Sequence, residues 1–499
     1  MTNPLYDRLF GANARRDTPF LHVPGSGAVT HAAFARDAAR YAHALTRAGA
    51  KPGDRVALQV DKSPDALCVV AGCAQAGLIV LPLNPAYTPA ETEYFVRDSG
   101  ARIFVVDPAR APAMEAARGD ARMLTLSAQG GGTLAALASS CPDNFDTVPR
   151  GEDDLAAFLY TSGTTGRSKG AMLSQRNLLS NAETLADHWR FTEADVLLHA
   201  LPIFHTHGLF VAMNVTLIAG GAMILLPKFD AGEMIRLMPQ ATAMMGVPTF
   251  YTRLLDTPAF DRSVAGHMRL FISGSAPLLA ETHRDFEART GHRILERYGM
   301  TETNMNTSNP YDGERRAGTV GPPLPGVELR IMEGDAPVAP GVTGAIEVRG
   351  PNVFQGYWNM PDKTAEDLAP DGWFRTGDLG TQDADGYVTI VGRAKDLIIS
   401  GGYNVYPKEI EALLDEQPGV LESAVVGIPH RDFGEVPLAL LVARPDAKPD
   451  LDAIGAALAE GLARYKHPAR LIVVPELPRN TMGKVQKAAL REAYRDLSD

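Results

Sequence analysis

The 499-residue chain is too long for one compact core, and length alone points to about three domains. Its composition, 45% apolar and 21% charged, with mean hydropathy near zero, is that of an ordinary globular protein. A net charge of -11 excludes sequence-independent nucleic-acid binding through a global positive field, so any phosphate must be held by a local site.

In chain order, the opening MTNPLYDRLFGANARRD lacks the apolar stretch and cleavage site of a secretory signal, so a cytoplasmic setting is expected. The three cysteines, Cys68, Cys73 and Cys141, form no CxxC and no disulfide framework, and the first two sit in an apolar stretch expected to be buried. Residues 66–83 and 209–227 are long apolar stretches, but each breaks at glycine (Gly77; Gly220 and Gly221) and resumes as a short run ending at proline. Helix, stop and buried strand is the expected reading, with no membrane span.

Between about residues 30 and 390, helical segments alternate with short apolar strands such as RVALQV, RIFVVD, AMILLP, RLFISG and AIEVRG. This pattern predicts stacked α/β layers. Residues 127–150, with Gly, Ser and Pro at their ends, read as a surface connection. After GRAKDLIISGG the texture changes. EIEALLDEQ, LDAIGAALAEGLARY and KVQKAALREAYRDL read as helices, and LESAVVGIP, PLALLVAR and RLIVVPELP as strands. The expected architecture is α/β, with a large N-terminal domain over 1–394 and a small, mobile α+β domain over 395–499.

One loop carries chemistry on its face: YTSGTTGRSKG at 160–170. Glycines at 163, 166 and 170 let the backbone approach a ligand, Thr161, Ser162, Thr164 and Thr165 offer hydroxyls, and Lys169 offers a cation. A flexible linker seldom lies between buried strands. The lysine precedes Gly170 rather than Ser or Thr, so the GxxxxGK[ST] phosphate loop is not met, and neither is GxGxxG. In HTH at 205–207 the i,i+2 spacing without a Cys or carboxylate neighbour argues against zinc.

The loop resembles the phosphate loop of the adenylate-forming superfamily, which includes acyl-CoA synthetases, luciferases and peptide-synthetase adenylation domains. The resemblance continues in order through LPIFHTHG, SGSAP, ERYGMTET, GWFRTGD, GRAKDLIISGGYNVYPKEIE and PRNTMGK. It implies ATP, Mg²⁺ and coenzyme A, with a carboxylate converted to an acyl-adenylate and then to a thioester. It implies nucleotide contacts from Thr161, Ser162, Gly163, Thr164, Thr165, Gly166 and Lys169. Further contacts fall at Ser275, Ala276 and Pro277 and along Glu296, Arg297, Tyr298, Gly299, Met300 and Thr301. Asp378 is the expected ribose ligand, reinforced by Arg393. Lys484 is the expected catalytic cation, Thr301 the α-phosphate contact and Glu302 the metal ligand. Lys395 matches a hinge, and Gly401 and Gly402 match the pantetheine channel.

Residues 298–331 look most like malonyl-CoA synthetases, which implies malonate and methylmalonate as substrates. A second carboxylate in a pocket must be paired. The resemblance assigns that role to Arg284 on the helix after SGSAP; local sequence alone would make it a surface residue pairing with Glu281 or Glu287. His205, Thr206, Ser275 and Met305 are expected to line the same pocket, with His207 structural. Acetylation of Lys484 by a lysine acetyltransferase would remove its charge. The rival readings are a ligase for monocarboxylic acids, an adenylation domain feeding a carrier protein, and a nucleotide binder without catalysis. Joint retention of Lys484, Glu302, Thr301 and Asp378 speaks against the last.

Overall fold

The computed structural model describes residues 3–161, 168–401, 403–430, 433–480 and 483–497. Two largely parallel sheets dominate the N-terminal part. The larger has eight strands in the order Asn304–Ser308, Leu295–Met300, Leu270–Ser273, Ala243–Gly246, Val196–His199, Ala222–Leu225, Pro19–Val23 and Gly27–Thr30. Only its two end pairs are antiparallel. The second has six strands, ending in the antiparallel pair Leu155–Thr161 and Lys169–Ser174 that flanks the glycine-rich loop. The short runs IVLP, IFVV, AMIL, AMMG and LFIS are buried at every position. A sheet covered by helices on both faces requires this continuous apolarity.

Both apolar stretches resolve into helix, stop and strand. Pro64–Gln75 is capped by Ser63, whose hydroxyl accepts from the Ala66 amide, and strand Ile79–Pro82 follows Gly77 at φ +67°. The second runs as a π-helical segment, His207–Met213, continued by Asn214–Ala219 and stopped by Gly220 at φ +70°. Among the described residues no helix is long and apolar enough to cross a membrane. The stretch 127–150 is not wholly a connection, because Thr133–Ser139 forms a helix that buries Leu134 and Ala138.

A five-stranded antiparallel sheet follows, ending in Phe374–Gln382 and Val388–Arg393. One turn of 3-10 helix, Ala394–Asp396, leads from it to strand Ile398–Ser400 of another five-stranded sheet. That last sheet carries its own apolar cores on both faces, one around Ile410, Leu414 and Leu441 and the other around Val426, Leu438 and Leu490. The final helix is shorter than expected, Lys487–Ala493. The residues before it are tied back in a tight turn: the Lys484 amide donates to Asn480 Oδ1 at 2.9 Å, and the Gln486 amide to the Pro478 carbonyl at 2.8 Å. Lys484 therefore leaves a turn instead of a helix.

Candidate active site

In open α/β sheets, ligands bind beyond the carboxyl ends of the strands. Here Leu270–Ser273 runs into SGSAP, Leu295–Met300 into TET, and Val196–His199 into LPIFHTHG, so three sequence motifs meet at one edge of one sheet. The 199–208 segment is held at its start by a buried lysine and tied to its end through His199. Lys62 Nζ donates to His199 Nδ1 at 2.6 Å and to the carbonyls of His199 and Leu201, each at 2.9 Å. His199 Nε2–H then donates to the Gly208 carbonyl at 2.8 Å. Burial lowers the pKa of Lys62, and burial, then the Lys62 charge, pushes His199 down to about 3. The strap presents His205, Thr206 and His207 to the cleft. At its end a π-helical turn begins, a rare feature that often marks functional sites.

The floor of the cleft is Arg297. It lies on strand Leu295–Met300, is 4% exposed, and leaves Nε and Nη2 without a hydrogen-bond partner. Gly274 packs directly over it: a Cβ there would stand 2.4 Å from Arg297 Cζ, so any side chain would displace the guanidinium. The next residue, Ser275, is held at φ +73°. This backbone region is strained for a serine and is tolerated mainly at functional sites. Ser275 Oγ lies 3.2 Å from His207 Nδ1. His207 Nε2 is buried and unpartnered, as is Asn304 Nδ2, while Asn304 Oδ1 accepts from the Thr206 hydroxyl at 2.8 Å. Met305 is buried beside Asn304, at 1% exposed.

Electrostatics bind these groups into one site. Burial pushes Arg297 down to about 9, which still leaves it charged at neutral pH. Burial, then the Lys484 and Arg297 charges, lowers His205 to about 3. His207 is lowered by burial and by the Arg297 charge. Lys484 keeps solvent access, yet crowding lowers its ammonium, assisted by Arg393 and opposed by Asp378 and Glu302. The cleft is thus a cationic site lined by neutral histidines.

The adjoining face is acidic and aromatic. Asp378, 4% exposed, accepts from the Tyr298 hydroxyl and pairs with Arg393 Nε at 2.8 Å. Glu302, also 4% exposed, accepts from the Tyr357 hydroxyl at 3.0 Å, and burial raises its pKa. Lys169 sits 4.0 Å from the Tyr357 ring centroid and 3.5 Å from Asp367 Oδ2. Thr161 ends the strand before the glycine-rich loop. Ser162, Gly163, Thr164, Thr165, Gly166 and Gly402 lie outside the described residues. Gly401, on the C-terminal sheet, has φ +57°, and its amide donates to the Phe433 carbonyl at 2.8 Å.

Two expectations are corrected. Arg284 does not reach the cleft. Its helix, Ala280–Thr290, buries Thr282, His283, Phe286 and Thr290, which puts Arg284 on the opposite, solvent side. Its side chain is 59% exposed and faces Glu416 at 3.8 Å. It does not pair with Glu281 or Glu287 either: Glu281 is bonded to Arg444 at 2.6 Å, and Glu287 to Arg293 at 2.8 Å. Glu296 also turns away from a nucleotide, because its carboxylate lies 3.3 Å from His283 Nδ1 and accepts from the Gly318 amide. The sequence reading grouped Arg297 with the nucleotide contacts and passed over Tyr357, Asn304 and the Lys62–His199 strap. For Arg297 the signal was present: an arginine inside RILERYGM, a strand-like run, is a charge forced into a buried element.

The chain is similar over most of its length to known proteins. Models of the AMP-binding enzyme family and of its C-terminal domain match residues 11–358 and 409–484. The malonate–CoA ligase of Arabidopsis thaliana is 37% identical over 480 residues, covering 89% of this chain and 79% of the relative. The sulfoacetate–CoA ligase of Cupriavidus necator is 38% identical over 483 residues, covering 95% and 94%. The solved structure of ATP-bound MatB from Rhodopseudomonas palustris is 53% identical over the full length of both chains, with a TM-score of 0.98. The apo form of the same protein superposes at 0.87.

Proposed function

Because the chain belongs to the AMP-binding enzyme family, we propose that it activates malonate, and with it methylmalonate, to the CoA thioester. The observation that carries the substrate is Arg297. A buried guanidinium with two unused donors is costly unless an anion arrives to pair with it. It stands in the cleft into which the Lys484 charge also projects. A monocarboxylate has one anion, which Lys484 would meet at the reacting end, and would leave Arg297 unpaired. A three-carbon dicarboxylate satisfies both cations. Arg297 thereby takes the role that the sequence assigned to Arg284.

In the first half-reaction a carboxylate oxygen attacks the α-phosphorus of ATP and the bond to pyrophosphate breaks. Both reactants are anions, so the barrier is largely electrostatic. Lys484 spans carboxylate and phosphate oxygens and lowers that repulsion. Thr301 contacts the α-phosphate, the 161–169 segment cradles the phosphates, and Tyr298 with Ala276, Pro277, Gly299 and Met300 frames adenine. Asp378 accepts the ribose hydroxyls, reinforced by Arg393, which pairs with its carboxylate. Glu302, a buried carboxylate whose charged form is disfavoured until a cation arrives, fits a magnesium ligand. A magnesium ion held there supplies charge neutralisation to the phosphates. In the second half-reaction the CoA sulfur attacks the acyl carbon, the bond to AMP breaks, and the thiol proton is released.

Residues 1–394 form the larger domain in this reading and 395–499 the smaller. Lys395 serves as the hinge between half-reactions, and Gly401 and Gly402 approach pantetheine. His205, Thr206, Ser275 and Met305 line the acyl pocket, and the Thr206–Asn304 bond fixes which face of Thr206 meets the second carbon. ATP and CoA are intracellular metabolites, which supports a cytoplasmic setting. Lys484 is a target for a lysine acetyltransferase in this scheme: it is exposed, and acetylation would remove the charge that the first half-reaction uses.

Sulfoacetate is the second reading, because it too places another anion one carbon from its carboxylate and the relative named for it is 38% identical. The test is ATP–pyrophosphate exchange with malonate, methylmalonate, sulfoacetate, succinate, acetate and octanoate. Exchange dominated by malonate and methylmalonate is expected. Preference for sulfoacetate moves the substrate to the second reading, and preference for acetate or octanoate removes the role given to Arg297.

A further inference from the structure

The exposed Arg284 has a different use. Its helix presents Glu281 and Arg284, one turn apart, to the C-terminal part of the chain. Glu281 Oε2 accepts from Arg444 Nη2 at 2.6 Å, and Arg284 Nη2 lies 3.8 Å from Glu416 Oε1. The two partners belong to one rigid corner. Glu416 caps helix Pro407–Asp415, Arg444 follows strand Gly434–Ala443, and the Arg444 amide donates to the Gly419 carbonyl at 2.9 Å. The charges alternate, minus and plus on the helix against plus and minus on the corner, so a shift of one helical turn would set like charges together. The same small unit carries Lys484, whose ammonium feels Arg393, Asp378, Glu302 and Arg297 in this orientation.

We infer that Glu281–Arg444 and Arg284–Glu416 form a charge-coded latch that holds the small unit in register for adenylation. All four are positioning residues, acting through Lys484 without touching substrate. The inference rests on the two-step reading above. Glu281 and Arg444 are 36% and 38% exposed, and Arg284 and Glu416 59% and 64%. Each pair is therefore weak enough to open for a second orientation and is screened by salt.

The test uses the full chain with Glu281→Arg, Arg444→Glu and the double charge swap. ATP–pyrophosphate exchange reads the first half-reaction; thioester formation from supplied acyl-adenylate reads the second. Each single reversal should slow exchange by about 3–10-fold and leave the second step unchanged or faster. The swap should restore exchange to within about twofold. A swap as slow as the single variants, or equal losses in both steps, would overturn the latch. Arg284→Ala should slow exchange with malonate and acetate in equal proportion, and a changed ratio would return Arg284 to the pocket. If wild type exchanges only with another acid, the substrate reading fails while the latch is measured with that acid.

Discussion

Replacing Arg297 by methionine keeps a long, unbranched side chain of similar volume and deletes the charge. Two donors, Nε and Nη2, are buried and unpartnered. Hydrogen bonds to charged groups contribute about 1.5–3 kcal/mol each, so losing two removes ~3–6 kcal/mol, or ~10²–10⁴-fold in kcat/KM for malonate. The same substitution should stabilise the free protein. Arg297 is 4% exposed and burial holds it down to about 9, so without an anion beside it the guanidinium costs on the order of several kcal/mol. The expected pattern is therefore asymmetric: malonate use collapses, acetate use falls far less or rises, and the denaturation midpoint increases. Initial rates with both acids and a guanidinium melt of each protein measure all three. Equal losses on malonate and acetate would refute the assignment, because a cation that only supports the fold cannot discriminate between the two acids.

Gly274→Ala should act on the same group from the other side. Its methyl would lie 2.4 Å from Arg297 Cζ, and displacement of a binding group by about 1 Å can cost ~10²-fold; malonate kcat/KM should fall with the KM for ATP unchanged. Lys484→Ala should abolish pyrophosphate exchange yet spare thioester formation from supplied acyl-adenylate, and equal loss of both steps would count against its role. Folding stability should decline in mild acid. His199 is held at about 3 and His207 is lowered, so below about pH 6.5 the unfolded chain takes up protons that the folded chain refuses. For His199 the stability present above pH 6.5 is then lost as pH falls towards 3, by up to about 1.4 kcal/mol per unit, and His207 adds loss in the same direction. Urea titrations at pH 7.5 and 5.0 measure the slope, and a flat profile would mean that these rings take up protons in place.

The layered architecture was legible because it rests on local signals. Runs such as AMIL and LFIS could only be buried strands, and Gly77 and Gly220 stopped the helices where the apolar stretches broke. Lys484, Glu302 and Asp378 were assigned by the resemblance of their motifs and by nothing local; Glu302 and Asp378 are buried, and the Lys484 ammonium feels both. Arg284 was misplaced because the resemblance overrode a local reading that put it on the surface, and the strand-like run around Arg297 was not weighed as a sign of a buried charge. Both stand among charged neighbours, and only the tertiary packing decides which face of Ala280–Thr290 meets the core and that Gly274 closes over Arg297. The Lys62–His199 strap joins positions far apart in the chain, a contact that periodicity cannot reveal. The last helix was over-extended for a similar reason, since the turn that holds Lys484 is made by bonds to Asn480 and Pro478 that compete with helix formation.

The cysteines carry a practical consequence. Cys68, Cys73 and Cys141 are 3%, 1% and 7% exposed, and burial pushes the Cys68 and Cys73 thiols well up. Nucleophilic attack and disulfide exchange need an accessible thiolate. An enzyme whose second substrate is itself a thiol thereby avoids mixed disulfides with it, and its acyl-adenylate meets no competing sulfur from the protein. The folded enzyme should tolerate thiol-specific chromogenic reagents, so CoA remaining in timed aliquots can be titrated without a contribution from folded protein, and the moment at which protein sulfur begins to react will report unfolding.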